Sequence, residues 1–362
     1  MKILIIVTVL ILLLPVLFVF GSFGWHHSRT KGLAYFGGTR LERQRFRTQV
    51  SVIGKILRAL FGFMGGKNPD PNQYTNQLNG LYLPANVCSK ASLEFASRYE
   101  PKSNDVFVVT PMKCGTTWMQ QIVYETLMKG NGDFSDEAHG HLFATSPWLE
   151  SFNGVSINEA PLLGEQKLRL IKTHLPSGSC PFSDQAKYIY VTRHPASCFA
   201  SCLDFFKANA GELTPNYDTM LDWFCSNRMW WGSWPAHVEG FWNYSQIHSN
   251  VLFLTFEEMK ADLPGVVARV AEFLGTDLIE TQKLAVVEKS GFEYMKAQEE
   301  QFEMLAPGFF ATGDSFFPSG SKNRFDSLNL DTNERIAEFV RSGLRKSDFP
   351  LAKFYQGIAK AV

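Results

Sequence analysis

The sequence predicts an α/β protein: a doubly wound parallel sheet with a P-loop-like strand–turn–helix unit, flanked by helices and preceded by one transmembrane helix. Three observations carry this. Near-continuous apolar runs at 105–110, 168–173, 187–192 and 250–256 read as strands covered on both faces. Helical patterns at 116–129, 195–207, 218–231, 235–248, 263–274, 279–289 and 331–345 alternate with them, as crossover helices of a parallel sheet do. Residues 3–20, ILIIVTVLILLLPVLFVF, carry no charge, and an apolar stretch of about 18 residues is long enough to span a bilayer core.

Taken in order, the chain divides into a membrane anchor (1–24), a basic segment with an amphipathic helix and a linker (25–90), and a catalytic domain (91–362). The rival for residues 3–20 is a cleaved signal peptide, but its apolar core is usually about 7–15 residues. Beyond the apolar run lie Arg29, Lys31, Arg40, Arg43, Arg45 and Arg47, against Lys2 before it. The positive-inside tendency places the catalytic domain in the cytoplasm, as a single-pass membrane protein. The sequon Asn243-Tyr244-Ser245 falls in a predicted helix and lends little to a lumenal reading.

Net charge is zero over 362 residues, yet residues 1–67 hold ten Lys/Arg and a single acid, Glu42. That asymmetry suits an anionic surface. Its position beside an apolar anchor favours a membrane over nucleic acid. Ile53, Ile56, Leu57, Leu60, Phe61 and Met64 share one face of a helix over 51–64, which Gly65-Gly66 can end. Such a stripe fits an interfacial helix or a helix docked on the protein core. The six cysteines show neither C-x-x-C nor zinc spacing and read as buried free thiols.

The chemistry concentrates after the first long strand. The run Val106-Phe107-Val108-Val109 stops at Pro111. A turn of Met112, Lys113, Cys114 and Gly115 follows, and a helix opens at Thr116 and Thr117. A glycine turn between strand and helix aims backbone N–H groups at one spot, where the helix dipole adds positive potential. Lys113 adds a charge and the threonines add donors, so the unit suits phosphate or sulfate. It is not a Walker A loop, which requires lysine after the second glycine. Two further strands end in polar groups: RLIKTHLP in Lys172-Thr173-His174, and YIYVTRHP in Arg193 with Pro195 opening a helix. Ligands of doubly wound sheets bind at such strand ends.

Together these segments resemble the sulfotransferase family that uses 3′-phosphoadenosine 5′-phosphosulfate (PAPS). MKCGTTW is similar to its PKSGTTW loop, KTHLP to its K-[ST]-H-L-P strand, and Arg193 with Ser201 to its 3′-phosphate motif. Residues 251–275 resemble the family's next strand and helix, and the likeness runs over about residues 90–345. It implies sulfuryl transfer from PAPS to a hydroxyl or amine, without a metal, leaving adenosine 3′,5′-bisphosphate. It implies that His174 is the general base and that Lys113 and Lys172 assist at the phosphosulfate. Cys114, Gly115, Thr116 and Thr117 would cradle the 5′ end, and Arg193 and Ser201 would hold the 3′-phosphate. Trp118, with Ser290 and Phe292 of KSGFEYMK, would meet adenine. The chain departs from the pattern at Cys114, His194, Ser197 and Phe256. The late Arg-Lys-Gly loop survives only as SFFPSGSKNRF, where Lys322 is the remaining candidate.

Two competing readings are a P-loop-type nucleotide phosphotransferase and a non-catalytic anion-binding relative. The misplaced lysine and the lack of a clear Walker B acid oppose the first. The intact Lys113, Lys172 and His174 oppose the second. By position in the family, segments 134–157 and 299–317 form the acceptor pocket. Their Phe143, Trp148, Phe152, Phe302, Phe309, Phe310, Phe316 and Phe317 fit a small apolar molecule or a lipid better than a polysaccharide. The oligomeric state is not legible.

Overall fold

A hairpin of β1 (Thr75–Leu78) and β2 (Leu81–Pro84) precedes the main sheet in the computed structural model. It turns at Asn79-Gly80, both at positive φ, the pairing a two-residue hairpin favours. The main sheet holds β3 (Asp105–Val109), β4 (Arg169–Thr173), β5 (Lys187–Thr192) and β6 (Val251–Thr255), all parallel, in the order β4-β3-β5-β6. The four predicted strands are therefore observed, each within a residue or two of the expected bounds. The structure describes the backbone of residues 2–30, 33–61, 68–73, 75–134, 140–317 and 324–359. It describes the side chains of 13–30, 35–61, 68–73, 75–134, 140–317 and 325–359.

In chain order the principal helices are α1 (Lys2–Thr30), α2 (Leu33–Phe36), α3 (Arg40–Phe61), α4 (Lys90–Arg98), α5 (Thr116–Leu127), α6 (Leu142–Thr145) and α7 (Pro195–Ala210). Then come α8 (Tyr217–Phe224), α9 (Trp234–Ile247), α10 (Phe256–Ala261), α11 (Leu263–Leu274), α12 (Glu280–Lys289), α13 (Phe292–Ala297) and α14 (Leu330–Gly343). Strand residues alternate between two cores, because successive side chains leave opposite faces of a sheet. Phe107, Val109, Ile171, Tyr188 and Tyr190 pack with α4, α7, α8, α9 and α14. Val106, Val108, Leu170, Ile189 and Val191 pack with α5, α11, α12 and α13. Val109 pairs with both Thr173 and Tyr190, so β3, β4 and β5 end nearly level. Their following residues share one edge.

Two expectations need correction. The helix expected over 218–231 stops at Phe224. Trp230 instead bridges to Tyr82 of β2, and Trp231 takes φ 62. Packing of the tryptophans outweighs the weak helical preference of this stretch. The basic arm is also only partly free for an anionic surface: Arg29, Arg45 and Lys55 are exposed, but four of its arginines have protein partners. Arg43 donates to the carbonyls of Gly38 and Gly140, both at 2.6 Å, and Arg58 to those of Phe309 (3.0 Å) and Ala311 (2.9 Å). Arg40 and Arg47 pair with Glu300 and Glu303.

The helix expected over 51–64 is the second half of α3, and it docks on the protein. Phe46, Val50 and Leu57 are buried with Tyr35, Phe36, Phe143, Met304 and Phe309 in a third core. Ile56 and Leu60 of the expected stripe stay exposed. The α1 helix is continuous with Pro15 inside it. Its last turns pack Trp25 on Phe46 and His26 on Phe309, and His26 Nε2 donates to the Pro307 carbonyl at 2.8 Å. Among the described residues no helix is long and apolar enough to cross a membrane. The side chains of residues 1–12, the first half of the predicted anchor, lie outside that description, as do Met64 and the Gly65-Gly66 pair expected to end the later helix. The sequon lies in α9, as expected, and all six cysteines are free, five of them buried.

Candidate active site

Strand β3 delivers the chain to Pro111, and the turn that follows is unusual in its backbone. Lys113 has φ 66 and Gly115 φ 98. A left-handed non-glycine residue is strained, and such strain concentrates at functional sites. Gly115 has no freedom to be otherwise: a Cβ there would stand 2.7 Å from Phe256 Cδ2. It occupies the N-cap position of α5 without a side-chain cap, leaving the first-turn N–H groups of α5 without a side-chain acceptor. Cys114 is buried, with its Sγ 3.8 Å from Cys198 Sγ, so its thiol points into the core rather than toward a ligand. Thr116 Oγ1 shares a 2.6 Å hydrogen bond with Thr110 Oγ1. The Lys113 ammonium lies over the rings of Phe205 (4.7 Å) and Phe316 (5.3 Å). Loss of hydration there, then the nearby Arg193, pushes its pKa down to about 8.

The end of β4 carries Lys172 and His174, both buried. Segment Pro147–Leu149 pairs alongside this strand: Lys172 N–H donates to Pro147 and Leu149 N–H to Lys172, both at 2.8 Å. That pairing sets the Trp148 ring 3.5 Å from the Lys172 ammonium, and Phe143 lies 4.8 Å away. Burial drives the Lys172 pKa well below its ordinary value. Glu150 is buried too, and burial raises its pKa. Its carboxylate accepts the His174 backbone N–H and the Thr173 hydroxyl, each at 2.8 Å.

His174 Nδ1 lies 2.8 Å from the Thr110 carbonyl. A carbonyl only accepts, so Nδ1 carries the proton and Nε2 keeps a lone pair. The ring is held between Trp148 (5.1 Å, edge-on) and Trp231 (5.0 Å). Burial, then Lys172, holds the pKa of His174 well below the usual range, so the imidazole is neutral at physiological pH. Its backbone carbonyl accepts from His237 Nε2 at 2.9 Å, and Tyr190 donates to His237 Nδ1 at 3.0 Å.

Arg193 follows β5. Its Nη1 donates to the Lys113 carbonyl at 3.3 Å and its guanidinium lies 4.2 Å from the Phe256 ring. Trp118 donates from Nε1 to the Ser290 carbonyl at 2.7 Å and meets Phe256 edge-on at 5.3 Å. The Arg193 Nε and the Ser290 hydroxyl are buried without a protein partner, as fits groups that a polar ligand completes. Phe292 stands apart, packed on Phe317. Lys322 lies outside the described residues.

Two adjoining cavities open at this edge. One is lined by Lys113, Ser201, Asp204, Phe205, Phe316 and, from α3, Arg47. The other offers about 620 Å³ of empty space, mouth included, and its walls include His174, Trp148, Trp230, Trp231, Phe206 and Met112. Met304 and Leu305 line both. Of the aromatics expected around an acceptor, only Trp148 lines the second cavity. Phe316 lines the first, Phe302 belongs to the core under α5, and Phe309 and Phe310 pack against the α1–α3 arm. Residues from elsewhere in the chain, Phe206 of α7 and Trp231 of the turn after α8, took those places. Thr110, Glu150 and Trp231 escaped the sequence reading because each reaches His174 through tertiary contact. The one local signal was an acid, Glu150, in the otherwise apolar stretch SPWLESF. Among the described residues no group of His, Cys, Asp and Glu could hold a metal ion.

This strand-end pair of cavities, one lined by charged groups of both signs (Lys113 and Arg47 with Asp204, Glu303 and Asp314) and one apolar beside a neutral histidine, is a candidate site for group transfer. Residues 103–348 match the sulfotransferase domain family, and the chain belongs to it. Sulfotransferase 2B1 of Mus musculus is 32% identical over 282 residues, covering 72% of this chain and 80% of the relative. The 3-alpha-hydroxysteroid sulfotransferase of Cavia porcellus is 28% identical, covering 74% and 95%. Among solved structures, mouse sulfotransferase SULT7A1 complexed with PAP superposes with a TM-score of 0.58 at 21% identity, covering 78% of this chain and 99% of that one. Retinol dehydratase in complex with androsterone and the inactive cofactor PAP gives 0.60 at 20%, covering 77% and 92%. The same enzyme with retinol and PAP gives 0.58 at 21%, covering 74% and 88%. The protein is a PAPS-dependent sulfotransferase, with the sulfotransferase fold of a parallel sheet flanked by helices. A P-loop-type phosphotransferase is set aside.

Proposed function

We propose that the protein moves the sulfuryl group of PAPS to a hydroxyl, or an amine, of an apolar small molecule or lipid, with His174 as general base. The observation that carries this is the His174 tautomer: Nδ1–H is spent on Thr110, leaving a basic Nε2 on a residue that lines an apolar cavity. In the step, Nε2 takes the acceptor proton while the acceptor oxygen bonds to sulfur. The bond from sulfur to the bridging phosphate oxygen breaks, and that oxygen leaves with adenosine 3′,5′-bisphosphate. Lys113 and Lys172 balance the charge that develops on the sulfuryl and leaving oxygens. Burial favours the neutral form of both, and an anionic donor draws them back to the charged form. Pairing with the donor also lifts the repulsion that depresses His174, raising its basicity when the donor is bound.

Gly115, Thr116 and Thr117 hold the 5′ end in this reading. Arg193 and Ser201 hold the 3′-phosphate. Trp118, Ser290 and Phe256 frame the adenine, and Lys322 remains a candidate on the late loop. Cys114 contributes no side-chain contact in this reading, since its thiol faces Cys198. Apolar walls of Trp148, Trp230 and Trp231 suit a ring system or an isoprenoid chain, and the relatives that act on hydroxysteroids or bind androsterone and retinol agree with that class.

Sulfate transfer from labelled PAPS to a lipid extract tests the acceptor class. His174→Ala should cut turnover roughly 10²-fold or more while PAP binding persists. Near-normal turnover in a folded variant would remove the base role.

The same proposal includes membrane attachment through residues 3–20, with the catalytic domain on the cytoplasmic side. Support comes from the unbroken apolar run and from Leu13, Leu14, Val16, Leu17 and Phe20, all exposed on α1. A row of such size in water is unfavourable, and a bilayer is its natural cover.

A further inference from the structure

The stretch 299–316 walls both cavities, and it is held from outside the matched sulfotransferase domain. Helix α3 ends well before residue 103, where that match begins. It nonetheless reaches this stretch at four places. Arg40 pairs with Glu300, and Gln44 donates to Glu300 at 3.2 Å. Arg47 pairs with Glu303, and Arg58 caps the carbonyls of Phe309 and Ala311. The backbone of Gly54 lies so close to Phe309 that a Cβ would stand 2.5 Å from its carbonyl oxygen.

One of these contacts bears on the chemistry. Arg47 and Glu303 line the same cavity as Lys113 and Ser201. On the donor-site reading, the phosphosulfate held at Lys113 and the 3′-phosphate held at Ser201 border that cavity. An unpaired carboxylate on its wall would add to the negative charge that Asp204 and Asp314 already bring there, and would repel them. Glu303 is covered twice: Arg47 pairs with one oxygen, and the Tyr35 hydroxyl donates to the other at 2.5 Å. Arg47 Nε in turn donates to the Tyr35 oxygen at 3.0 Å. Burial raises the Tyr35 pKa, so its hydroxyl keeps the proton it donates.

We propose that Arg47 is a positioning residue of the donor site, which masks the charge of Glu303 so that the cavity accepts a polyanion. The N-terminal arm is then part of the active site rather than a tether for it. Its docking is coupled to donor binding, because lifting α3 and Tyr35 away bares a carboxylate in the cavity that Lys113 also lines.

The proposal rests on the donor-site reading above, and the test separates the two. PAP binding is measured by titration calorimetry on the full-length protein in detergent, with thermal melts as the check on folding. Lys113→Gln reports on the site itself: if it binds PAP as the parent does, the donor-site reading fails. With that control weakened as expected, Arg47→Gln should raise the PAP Kd about 10-fold, in line with the loss of one charge interaction at short range. Glu303→Gln should bind at least as well as the parent, and Arg47→Gln/Glu303→Gln should return to within about 3-fold of it. Rescue is the readout that separates charge masking from direct contact or from support of the fold. If the double variant stays as weak as Arg47→Gln, or if Arg47→Gln binds like the parent, the proposal is overturned. Should Arg47→Gln fail to fold, Tyr35→Phe removes only the second cover. It should weaken PAP by a smaller factor that Glu303→Gln abolishes, and an effect that persists in that background counts against the proposal.

Discussion

Lys113 is a cation stacked on two phenylalanine rings, and its chemistry follows from that. With its pKa near 8, the free protein carries it charged below that pH and neutral above. An anionic donor favours the charged form, so PAP affinity should be highest below about pH 8 and should fall as pH rises through it, with proton uptake on binding in that window. Calorimetry between about pH 7 and pH 9.5 reads this directly. Lys113→Arg, charged throughout that range, should flatten the profile, and a parent profile that is already flat would contradict the assignment. Arg193 offers a second residue-scale test. Its guanidinium lies beside the Lys113 carbonyl and on the Phe256 ring, within the donor turn. Arg193→Ala should weaken PAP far more than an analogue without the 3′-phosphate, because only PAP loses a charge-assisted pair. Equal losses for both ligands would move the 3′-phosphate elsewhere.

At the scale of elements, α3 reads as amphipathic from its sequence, yet the residue that sets its seat is a glycine. Ordinarily Gly→Ala inside a helix stabilises by about 1 kcal/mol. At Gly54 the added methyl would meet the Phe309 backbone, which cannot swing aside as a side chain would. Gly54→Ala should therefore lower the melting temperature rather than raise it, and should raise the acceptor KM by shifting the stretch that carries Met304 and Leu305. A stabilised variant with unchanged KM would mean that α3 does not brace the site. The hairpin β1–β2 makes the complementary point. Its Asn79-Gly80 turn is a strong local signal that the sequence reading passed over, and no strand was expected beside it. The helix over 218–231 was expected and is truncated, because Trp230 and Trp231 are claimed by the hairpin and by His174.

For the whole molecule, the arrangement joins an apolar N-terminus, a docked helical arm and a sulfotransferase domain, with the arm lining one cavity through Arg47 and holding the stretch that walls both. Deleting residues 1–24 should release the protein from carbonate-washed membranes yet leave sulfate transfer to a soluble acceptor intact, since Trp25 and His26 still dock. Deleting residues 1–61 should abolish transfer, because the stretch 299–316 loses every contact with α3. Protease added to sealed right-side-out vesicles should spare the domain if it faces the cytoplasm. Digestion from outside would reverse the orientation, and activity surviving the longer deletion would detach the arm from catalysis.

The sheet and the strand-end residues Lys113, Lys172, His174 and Arg193 were legible in the sequence, because strand periodicity and short motifs are local properties that a few consecutive residues carry. The departures were legible too: a cysteine within the turn and a late loop reduced to Lys322. Partnership was not. That Thr110 selects the His174 tautomer, that Glu150 ties down its backbone, and that Phe256 makes Gly115 obligatory depend on chain crossings of 24 to 141 residues. The basic arm is the clearest case. Composition marks it as a surface for anions, yet Arg40, Arg43, Arg47 and Arg58 are spent on Gly140, Glu300, Glu303, Phe309 and Ala311, while Arg29 and Arg45 stay exposed. A charge count in sequence cannot distinguish an arginine that meets solvent from one whose partner lies some 250 residues away. Only burial and distance decide that.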